Sequence, residues 1–453
     1  MNFREFVSNL LEKLRSNSVG AVLARGFSGV ALVKVGGAAL GFLSHIVLAR
    51  VMSVTNYGIY IYVWTWLMVL VLVARAGFDN LLIRYVAKYR AEQSWRLLKG
   101  LLRRSVQTVG GIAVILGGIA AVVVMLVGQR ISSEMQATFM AGFILLPILA
   151  LVYIRQSTLR GLKCVARANV PELIVRHLLV IGLAAGVWTL TGTLQAWQAM
   201  VATIAAFLVA LVVAETMVRM AAPAPTFDVR IELPDEPWIR KALPFLILAS
   251  AGLLQKKTDV IMLGFFVPAA EIGIYGAALR LTALVGFGMV VVNLTVTPYF
   301  SEYYTAGEED KLQKLATLSA AGIATFTTAV AVALLLFGDT VLAIFGREFT
   351  GGYSILAVLV LGKMFAAFCG PVALIMMMTD QESAASKVEG VAAVLNVVLN
   401  AVAIPLFGAL GAAVATAASL SIRNIIFAYF VYTRLDLNPT VLNPDIVRQL
   451  RNI

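Results

Sequence analysis

Long apolar stretches recur along the whole 453-residue sequence, and each is long enough to cross a bilayer. About 20 consecutive apolar residues form a helix that spans the roughly 30 Å hydrocarbon core. Hydrophobic residues make up 60% of the chain and charged residues 13%, a composition that excludes a soluble enzyme. We therefore predict an all-α polytopic membrane protein with twelve spans. The predicted spans are 27–50, 56–78, 105–128, 138–157, 170–190, 196–218, 242–266, 272–299, 317–337, 353–378, 387–407 and 410–433.

The basic charge of the sequence indicates how the spans are oriented. The formal net charge is +12, and most of the 36 Lys and Arg residues lie on one side of the predicted spans, as in the loop 84–104. The loops 191–193 and 267–270, on the other side, contain no Lys or Arg. Because cytoplasmic loops are enriched in these residues, we expect both termini in the cytoplasm. The basic residues then determine the topology and lie near the headgroups of membrane lipids. Nucleic acid is not expected as a partner.

Two copies of one short motif divide the sequence into related halves. Tyr57-Gly58-Ile59-Tyr60 and Ile272-Gly273-Ile274-Tyr275 each open an apolar stretch that follows a charged span. We interpret each motif as the external start of the second helix in its half. The two motifs then align the first helix of one half with the first helix of the other. Six spans in each half, starting from the same side, predict two parallel repeats. The predicted parts are an amphipathic cytoplasmic segment 1–26, an N-lobe 27–218, a proline-containing cytoplasmic linker 219–241, a C-lobe 242–433 and a cytoplasmic tail 434–453.

Charged residues inside the predicted spans are the main functional signal. Each ionised side chain at a helix centre costs about 2.5–3.5 kcal/mol on insertion scales, so such residues are functional candidates by default. Only Asp259 is an anion in the middle of a span, and the surplus of positive charge predicts a water-filled cavity that receives an anion. The cations assigned to spans are Lys34, Arg75, Arg176, Lys256, Lys257, Arg280, Lys363 and Arg423.

Helical spacing selects the residues of the predicted anion site. Lys34 and His45 are about three turns apart on one helix face, with small residues between them that leave room beside the helix. Lys256 and Asp259 are neighbours one turn apart, which leaves Lys257 on another face without a local partner. The predicted substrate-binding set is Lys34, His45, Lys256, Lys257 and Arg280. The candidates for coupling or charge balance are Asp259, Arg75, Asp79, Lys363 and Arg423.

Several of these charges have structural alternatives. Arg75 and Asp79 are spaced as an ion pair at the membrane edge, and Glu172 and Arg176 have the same spacing at a helix start. Packing or a hydrogen bond is the simpler role for His177. Inside the second half, Lys363 and Arg423 have polar groups such as Asn396 and Asn400 as candidate partners.

Catalytic constellations are not found in the sequence. It contains 2 His and 2 Cys residues, and these offer no metal-ligand set at a usual spacing. There is no nucleotide-binding Walker motif. We therefore predict a protein that is not an enzyme and that carries no metal or cofactor.

Motifs in both halves resemble those of polysaccharide-type flippases, which handle O-antigen or exopolysaccharide units. The first half contains Leu48-Ala49-Arg50-Val51-Met52-Ser53, then Tyr57-Gly58, Ala74-Arg75-Ala76-Gly77 and Arg84-Tyr85. The second contains Thr258-Asp259-Val260-Ile261-Met262-Leu263-Gly264 and Gly273-Ile274-Tyr275-Gly276-Ala277-Ala278 followed by Arg280. These flippases belong to the multidrug/oligosaccharidyl-lipid/polysaccharide (MOP) exporter superfamily, and the resemblance covers essentially the whole chain.

The resemblance implies a fold and a function. The family has two six-helix lobes around a V-shaped central cavity, lined chiefly by the first two helices of each lobe. The resemblance implies that this chain transfers an undecaprenyl-diphosphate-linked oligosaccharide from the cytoplasmic to the outer leaflet of the bacterial inner membrane. Transfer would occur by alternating access. Protons, sodium ions or the membrane potential would drive transfer, and glycan polymerase or export proteins would be partners. Lipid II flippases have two additional C-terminal helices that the hydropathy pattern here does not predict, which favours the O-antigen or exopolysaccharide branch.

Two other functions are compatible with the sequence. A secondary exporter of drugs or metabolites, as in the multidrug branch of the same superfamily, would share the fold, but cationic drugs prefer an acidic cavity. A membrane scaffold without transport activity fits poorly with so many charges inside the spans.

Overall fold

The computed structural model describes residues 19–223, 225–232, 238, 240, 242, 246 and 257–441. This part of the chain is almost entirely helical and contains no strand. The predicted amphipathic segment 1–26 lies outside the described residues except for its last eight positions, which belong to the first helix. Most of the predicted span 242–266 and the end of the predicted tail also lie outside them.

The helices of the first half end close to the predicted limits of the spans, but the helices of the predicted spans 27–50 and 105–128 begin earlier, at Val19 and Trp95. A 3₁₀ turn, Gly128–Arg130, and a π-helical turn, Pro171–Val175, interrupt them. The helices are α1 Val19–Val51, α2 Val54–Arg75, α3 Phe78–Ala91, α4 Trp95–Val127, α5 Ser133–Gly161, α6 Val165–Val170, α7 Arg176–Thr191, α8 Ala196–Ala221 and the short α9 Pro225–Asp228.

The helices of the second half show two departures from the predicted spans, which are a break within 272–299 and a break within 353–378 at residues 369–371. After α10, which is described over 257–266, they are α11 Ala269–Val285, α12 Phe287–Thr305, α13 Glu309–Leu336, α14 Gly338–Leu342, α15 Tyr353–Phe368, α16 Val372–Met378 and α17 Glu382–Leu435. A 3₁₀ turn, Arg347–Gly352, precedes α15.

The first departure is a break in the predicted span 272–299. The chain bends by 41° between α11 and α12, at Gly286. Glycine has a low helix propensity because it gains the most backbone freedom on unfolding, so it is a favourable place for the break. The predicted span thus corresponds to two helices joined by a bend, which together can form one span.

The predicted spans 387–407 and 410–433 are the two helical arms of α17, which are separated by a reversal of the chain at Gly408, with φ 56° and ψ −136°. This backbone conformation is readily accessible only to glycine. The two arms lie side by side, because Asn396 on the first donates a hydrogen bond of 2.9 Å to Ser419 on the second. The Glu271 carboxylate lies beside Gly408 and accepts a hydrogen bond of 3.3 Å from the Ala409 amide.

The described residues contain nine helices that are long and apolar enough to cross a membrane, or ten if α11 and α12 together form one bent span. An all-α polytopic fold is thereby confirmed, and the number of twelve spans stays a prediction. The apolar surface agrees with this assignment, since valine and isoleucine side chains such as Val114 and Ile115 on α4 are more than 60% exposed.

The chain separates into two compact units. The first contains residues 1–52 and 66–249, and the second contains residues 53–65 and 250–453. The predicted N-lobe and C-lobe boundaries stay predictions, and this division differs from them by placing Ser53–Thr65 in the second unit. Within the first unit, α5 packs against α3, α4 and α8, while α1 packs against α6, α7 and the π-helical turn. Within the second unit, α15 packs against α11, α13 and α17.

The two motif glycines contact each other inside the second unit. Gly58 and Gly273 each lie one helical turn after the first residue of their helix, Val54 in α2 and Ala269 in α11. A β-carbon on Gly58 would lie 2.9 Å from the Gly273 nitrogen, and one on Gly273 would lie 3.1 Å from the Gly58 nitrogen. Helix backbones approach this closely only where side chains are minimal. The motifs thus form a helix crossing, in addition to marking the helix starts.

The segment after α8 is fastened to the first unit. The Lys99 ammonium donates a 2.9 Å hydrogen bond to the Val229 carbonyl, and the Glu232 amide donates one of 3.3 Å to the Arg96 carbonyl. The buried Trp238 donates from Nε1 to the Tyr89 hydroxyl at 3.3 Å. The described part of the predicted linker therefore lies along the basic ends of α3 and α4.

The crossing predicts that Gly58 tolerates no side chain. We expect Gly58→Leu to destabilise the protein by about 1–3 kcal/mol or more, because overpacking forces the helices apart. Thermal unfolding in detergent measures the effect. Gly118→Leu is the matched control, since a β-carbon there meets no atom within 4 Å. Equal unfolding midpoints for the two variants would contradict the close crossing.

Candidate functional site

Asp259 is the centre of a buried polar cluster in the second unit. Its side chain lies on α10 and is 4% exposed. It accepts a 2.7 Å hydrogen bond from the Tyr275 hydroxyl and one of 2.8 Å from the Val260 amide. The Lys257 ammonium also attracts it electrostatically. The carboxylate is thus satisfied by several groups at once, as a buried charge requires.

The described contacts of Asp259 come from residues that spacing did not select. Lys257 was expected on a different face without a local partner, but it interacts with Asp259. Tyr275, the last residue of the second motif, donates the shortest hydrogen bond to the carboxylate. The motif therefore supplies a residue of the cluster itself. Lys256, the partner expected from spacing, lies outside the described residues.

Arg280 interacts with the first motif. It is half-buried on α11, and its guanidinium group interacts electrostatically with the fully buried Tyr57. The Tyr57 ring packs edge-on against Phe349, with the ring centroids 5.6 Å apart. Arg280 thus interacts electrostatically with the tyrosine of the first motif, while Asp259 accepts a hydrogen bond from Tyr275 of the second.

The two predicted site residues of α1 differ in their exposure. Lys34 is exposed, among exposed apolar residues such as Leu32 and Val35. His45 is buried, with 7% of its surface exposed. Lys34 is therefore available to a ligand, whereas His45 is packed within the first unit.

The small residues of α1 make room for another helix. The ring of His177 from α7 lies against Gly41, where a β-carbon would be 3.1 Å from Nε2. The Ser44 hydroxyl and His177 Nδ1 are 2.9 Å apart, in hydrogen-bond contact. Gly37 packs in the same way against Leu173. The space expected beside α1 is thus filled by protein at Gly37 and Gly41.

Glu172 organises a second polar network in the first unit. It lies in the π-helical turn and accepts hydrogen bonds from the Tyr153 hydroxyl at 2.9 Å and from Gln156 Nε2 at 3.1 Å. Arg176 donates from Nε to the Glu172 carbonyl at 3.2 Å, and its Nη2 lies 2.5 Å from His177 Nε2. Glu172 and Arg176 are neighbours as predicted, but the Arg176 hydrogen bond goes to the Glu172 backbone.

Arg75 and Asp79 form the ion pair that their spacing predicts. Arg75 Nη1 lies 2.8 Å from Asp79 Oδ2 across the turn between α2 and α3. The Arg75 guanidinium also lies 4.5 Å from the centroid of the Tyr153 ring. Burial raises the pKa of the Asp79 carboxyl above its ordinary value, while the guanidinium groups of Arg75 and Arg160 oppose that rise. This geometry fits the structural alternative, an ion pair at the membrane edge.

Arg423 has a different partner from the one considered. Its Nη1 lies 3.4 Å from Glu389 Oε2, on the arm of α17 that precedes Gly408. Asn396 instead donates to the Ser419 hydroxyl at 2.9 Å, and Asn400 donates to the Asn396 carbonyl at 2.8 Å. Lys363 is half-buried on α15. The two asparagines are thus bonded to each other and to Ser419.

Arg155 is a further cation in a span that was not selected from the sequence. It lies in α5, and its Nε is 2.7 Å from Glu215 Oε2 on α8. Arg219 Nε lies 2.9 Å from the other oxygen of the same carboxylate. Arg155 lies inside the predicted span 138–157, and this position is the sequence signal that identifies it as a cation within a span.

Carboxylate groups neutralise several of the cations inside or near the spans. Asp79, Glu215, Glu389 and Asp259 each hold a cation nearby. Within the described part of the chain, no three His, Cys, Asp or Glu residues come together as candidate metal ligands. The described ion pairs balance charge inside the spans. Among the described residues of the predicted set, Lys34 is an exposed cation on an apolar helix.

Two solved membrane-protein structures share the fold of this chain. The lipid II flippase MurJ in an inward closed conformation has a TM-score of 0.71, with 12% identity over 93% of this chain and 90% of its own. A multidrug resistance MATE family transporter of the MOP superfamily, in an inward-facing conformation, has a TM-score of 0.70, with 14% identity over 92% and 96%. These likenesses establish an all-α MOP-type fold.

Sequence comparison identifies the family. A Haloferax volcanii protein described as a probable low-salt glycan biosynthesis flippase is 26% identical over 187 residues, which are 41% of this chain and 40% of that relative. The match thus spans about two-fifths of the relative's length. The sequence profile of the family described as polysaccharide biosynthesis protein matches residues 23–304, more than half of the 453 positions. The chain belongs to this polysaccharide biosynthesis protein family.

Proposed function

We propose that this protein is a flippase for a lipid-linked oligosaccharide used in cell-surface polysaccharide assembly. Its substrate would be an undecaprenyl-diphosphate-linked glycan, moved from the cytoplasmic to the outer leaflet. Membership of the polysaccharide biosynthesis protein family supports the proposal, as does the similarity to a relative described as a glycan biosynthesis flippase. The single structural observation that carries it is the exposed Lys34 on an apolar helix, because such a cation needs an anionic partner.

The diphosphate of the substrate is the anion that these cations would hold. An ammonium or guanidinium group forms short, charge-assisted hydrogen bonds with phosphate oxygens. Lys34 is exposed for this role, while Lys257 and Arg280 are half-buried and have polar neighbours in the second unit. His45 and Lys256 complete the proposed binding set. Arg75, Asp79 and Arg423 act instead in charge balance, through their ion pairs.

The basic ends of the helices would lie on the cytoplasmic side of a bacterial inner membrane. This orientation follows from the positive-inside rule and places both termini in the cytoplasm. An inside-negative potential then favours outward movement of negative charge, by about 2.3 kcal/mol per charge per 100 mV. The proposed mechanism is alternating access with a cationic cavity, and Asp259 is the candidate for coupling to protons or sodium ions.

A multidrug or metabolite exporter remains the alternative function. The MATE transporter likeness supports it at the level of fold. Glycan export and drug resistance, measured in the same strain, separate the two functions. Export of glycan with no change in drug resistance is the result expected here.

The role of Lys34 predicts a loss of glycan export on removal of its charge. A hydrogen bond to a charged group contributes about 1.5–3 kcal/mol, so we expect Lys34→Gln to reduce export by at least about tenfold. The measurement is surface glycan in a strain that lacks its own flippase, at matched protein levels. Lys163→Gln is the matched control, because it removes the same charge from an exposed position between α5 and α6. Equal export by both variants would refute the role of Lys34.

The proposed coupling role of Asp259 predicts different effects for two substitutions in the same cluster. Asp259→Asn removes the charge but leaves an oxygen that accepts from Tyr275, whereas Tyr275→Phe removes the donor and leaves the charge. In proteoliposomes with an imposed proton or sodium gradient, we expect the gradient response of flipping to disappear in Asp259→Asn. It should persist in Tyr275→Phe. An undiminished gradient response in Asp259→Asn would show that the carboxylate is only structural.

A further inference from the structure

A groove on the first unit combines a basic end with an apolar wall. It lies between α4, α5 and α8, where Val106, Leu151 and Val212 line a space of about 410 Å³. An adjoining hollow of about 270 Å³ continues it towards the basic end, lined by Lys99 and Arg103 among others. None of these residues belongs to the proposed diphosphate site. The groove is therefore a separate feature of the molecule.

The charges of the groove are unbalanced in favour of cations. The Glu215 carboxylate lies between the guanidinium groups of Arg155 and Arg219, at 2.7 and 2.9 Å. One negative charge thus faces two positive charges, and Lys99 and Arg103 add two more in the adjoining hollow. Arg155 is held deep in the groove, with 16% of its side chain exposed, while Arg219 is 69% exposed. This arrangement is complementary to a group with negative charge.

A buried hydroxyl in the hollow supports a ligand independently of the charges. Thr226 in α9 is fully buried and lines the same hollow. Its Oγ1 has no hydrogen-bond partner within the described part of the chain. Buried hydroxyl groups normally have a hydrogen-bond partner, because a hydroxyl that is removed from water without one loses the hydrogen bonds that water provided. A ligand oxygen in the hollow would provide the missing partner.

The depth of the groove matches the headgroup level of a bilayer. Arg155 and Glu215 each lie six residues before the end of their helix, at Gly161 and Ala221. With a rise of about 1.5 Å per residue, both are about 9 Å from the helix ends. Towards the middle of the span, α4 and α8 present exposed apolar side chains, with Ile115 and Val212 each 63% exposed. An acyl chain would find an apolar surface there.

We propose that this groove binds an anionic glycerophospholipid such as phosphatidylglycerol. The phosphate lies among Lys99, Arg103 and Arg219 and accepts a hydrogen bond from Thr226, and an acyl chain lies along Leu151 and Val212. A bilayer lipid is favoured over the glycan-linked substrate because the apolar wall is continuous with the lipid-exposed surface of α4 and α8. This site does not depend on the proposed flippase function.

Native mass spectrometry of the full chain, delipidated in detergent, tests this site. A Lys or Arg near the surface contributes about 1 kcal/mol to binding of anionic lipid, so Arg103→Gln should weaken phosphatidylglycerol binding by about fivefold. The matched control is Arg104→Gln, which removes the same charge from the next exposed position of α4, outside the groove. It should leave the affinity unchanged. Phosphatidylcholine, which has no net charge, should bind weakly to all three proteins.

Two results would overturn the proposal. Equal loss of phosphatidylglycerol binding in Arg103→Gln and Arg104→Gln would mean that general surface charge attracts the lipid. Undecaprenyl phosphate that displaces phosphatidylglycerol from the wild-type protein, but not from Arg103→Gln, would assign the groove to the polyprenyl substrate. Both arginines are exposed, so neither substitution is expected to prevent folding, and equal unfolding midpoints verify this.

Discussion

Charge neutralisation inside apolar helices is the constraint on which the interior of this protein depends. An unpaired ion in the hydrocarbon region costs several kcal/mol, and the cost falls only when a partner and hydrogen bonds replace water. Glu215 holds two arginines, and Asp259 is surrounded by a tyrosine, an amide and a lysine. These contacts tie one helix to another, so the charges also fix how the helices pack. Lys34 on α1 differs because it is exposed, and this difference directs attention to it as a binding residue.

Much of the fold was predictable because hydropathy acts locally. A stretch of apolar residues specifies a spanning helix wherever it lies, and the limits of α2, α5 and α8 agree with the predicted spans within a few residues. The break at Gly286 and the break at Gly370, between α15 and α16, were not predictable in this way. Both involve glycine, and the sequence contains 36 glycines. Only the surrounding helices determine which of them interrupts or redirects a helix.

The candidate site was predictable only where partners are close in sequence. The pair Arg75 and Asp79 was predictable because only three residues separate them, although they meet across the turn between α2 and α3 and not along one helix. The partners Arg155 and Glu215, or Arg423 and Glu389, are far apart along the chain and meet through helix packing. Spacing also selected Lys256 for Asp259, a pair that stays a prediction because Lys256 lies outside the described residues, whereas the hydrogen bond from Tyr275 comes from another helix and was not selected. The choice of partner thus depends on tertiary structure that a single sequence does not specify.

The crossing of Gly58 and Gly273 has a consequence for how this protein can evolve. A bulky residue in a packed interface is commonly rescued by a smaller residue opposite it, which restores the lost space. Here the opposite residue is already glycine at both positions, so no smaller replacement exists. Compensating changes must instead shift the backbone of α2 or α11. Suppressors of a Gly58 substitution should therefore lie away from Gly273, and each position is constrained separately even though the two are in contact.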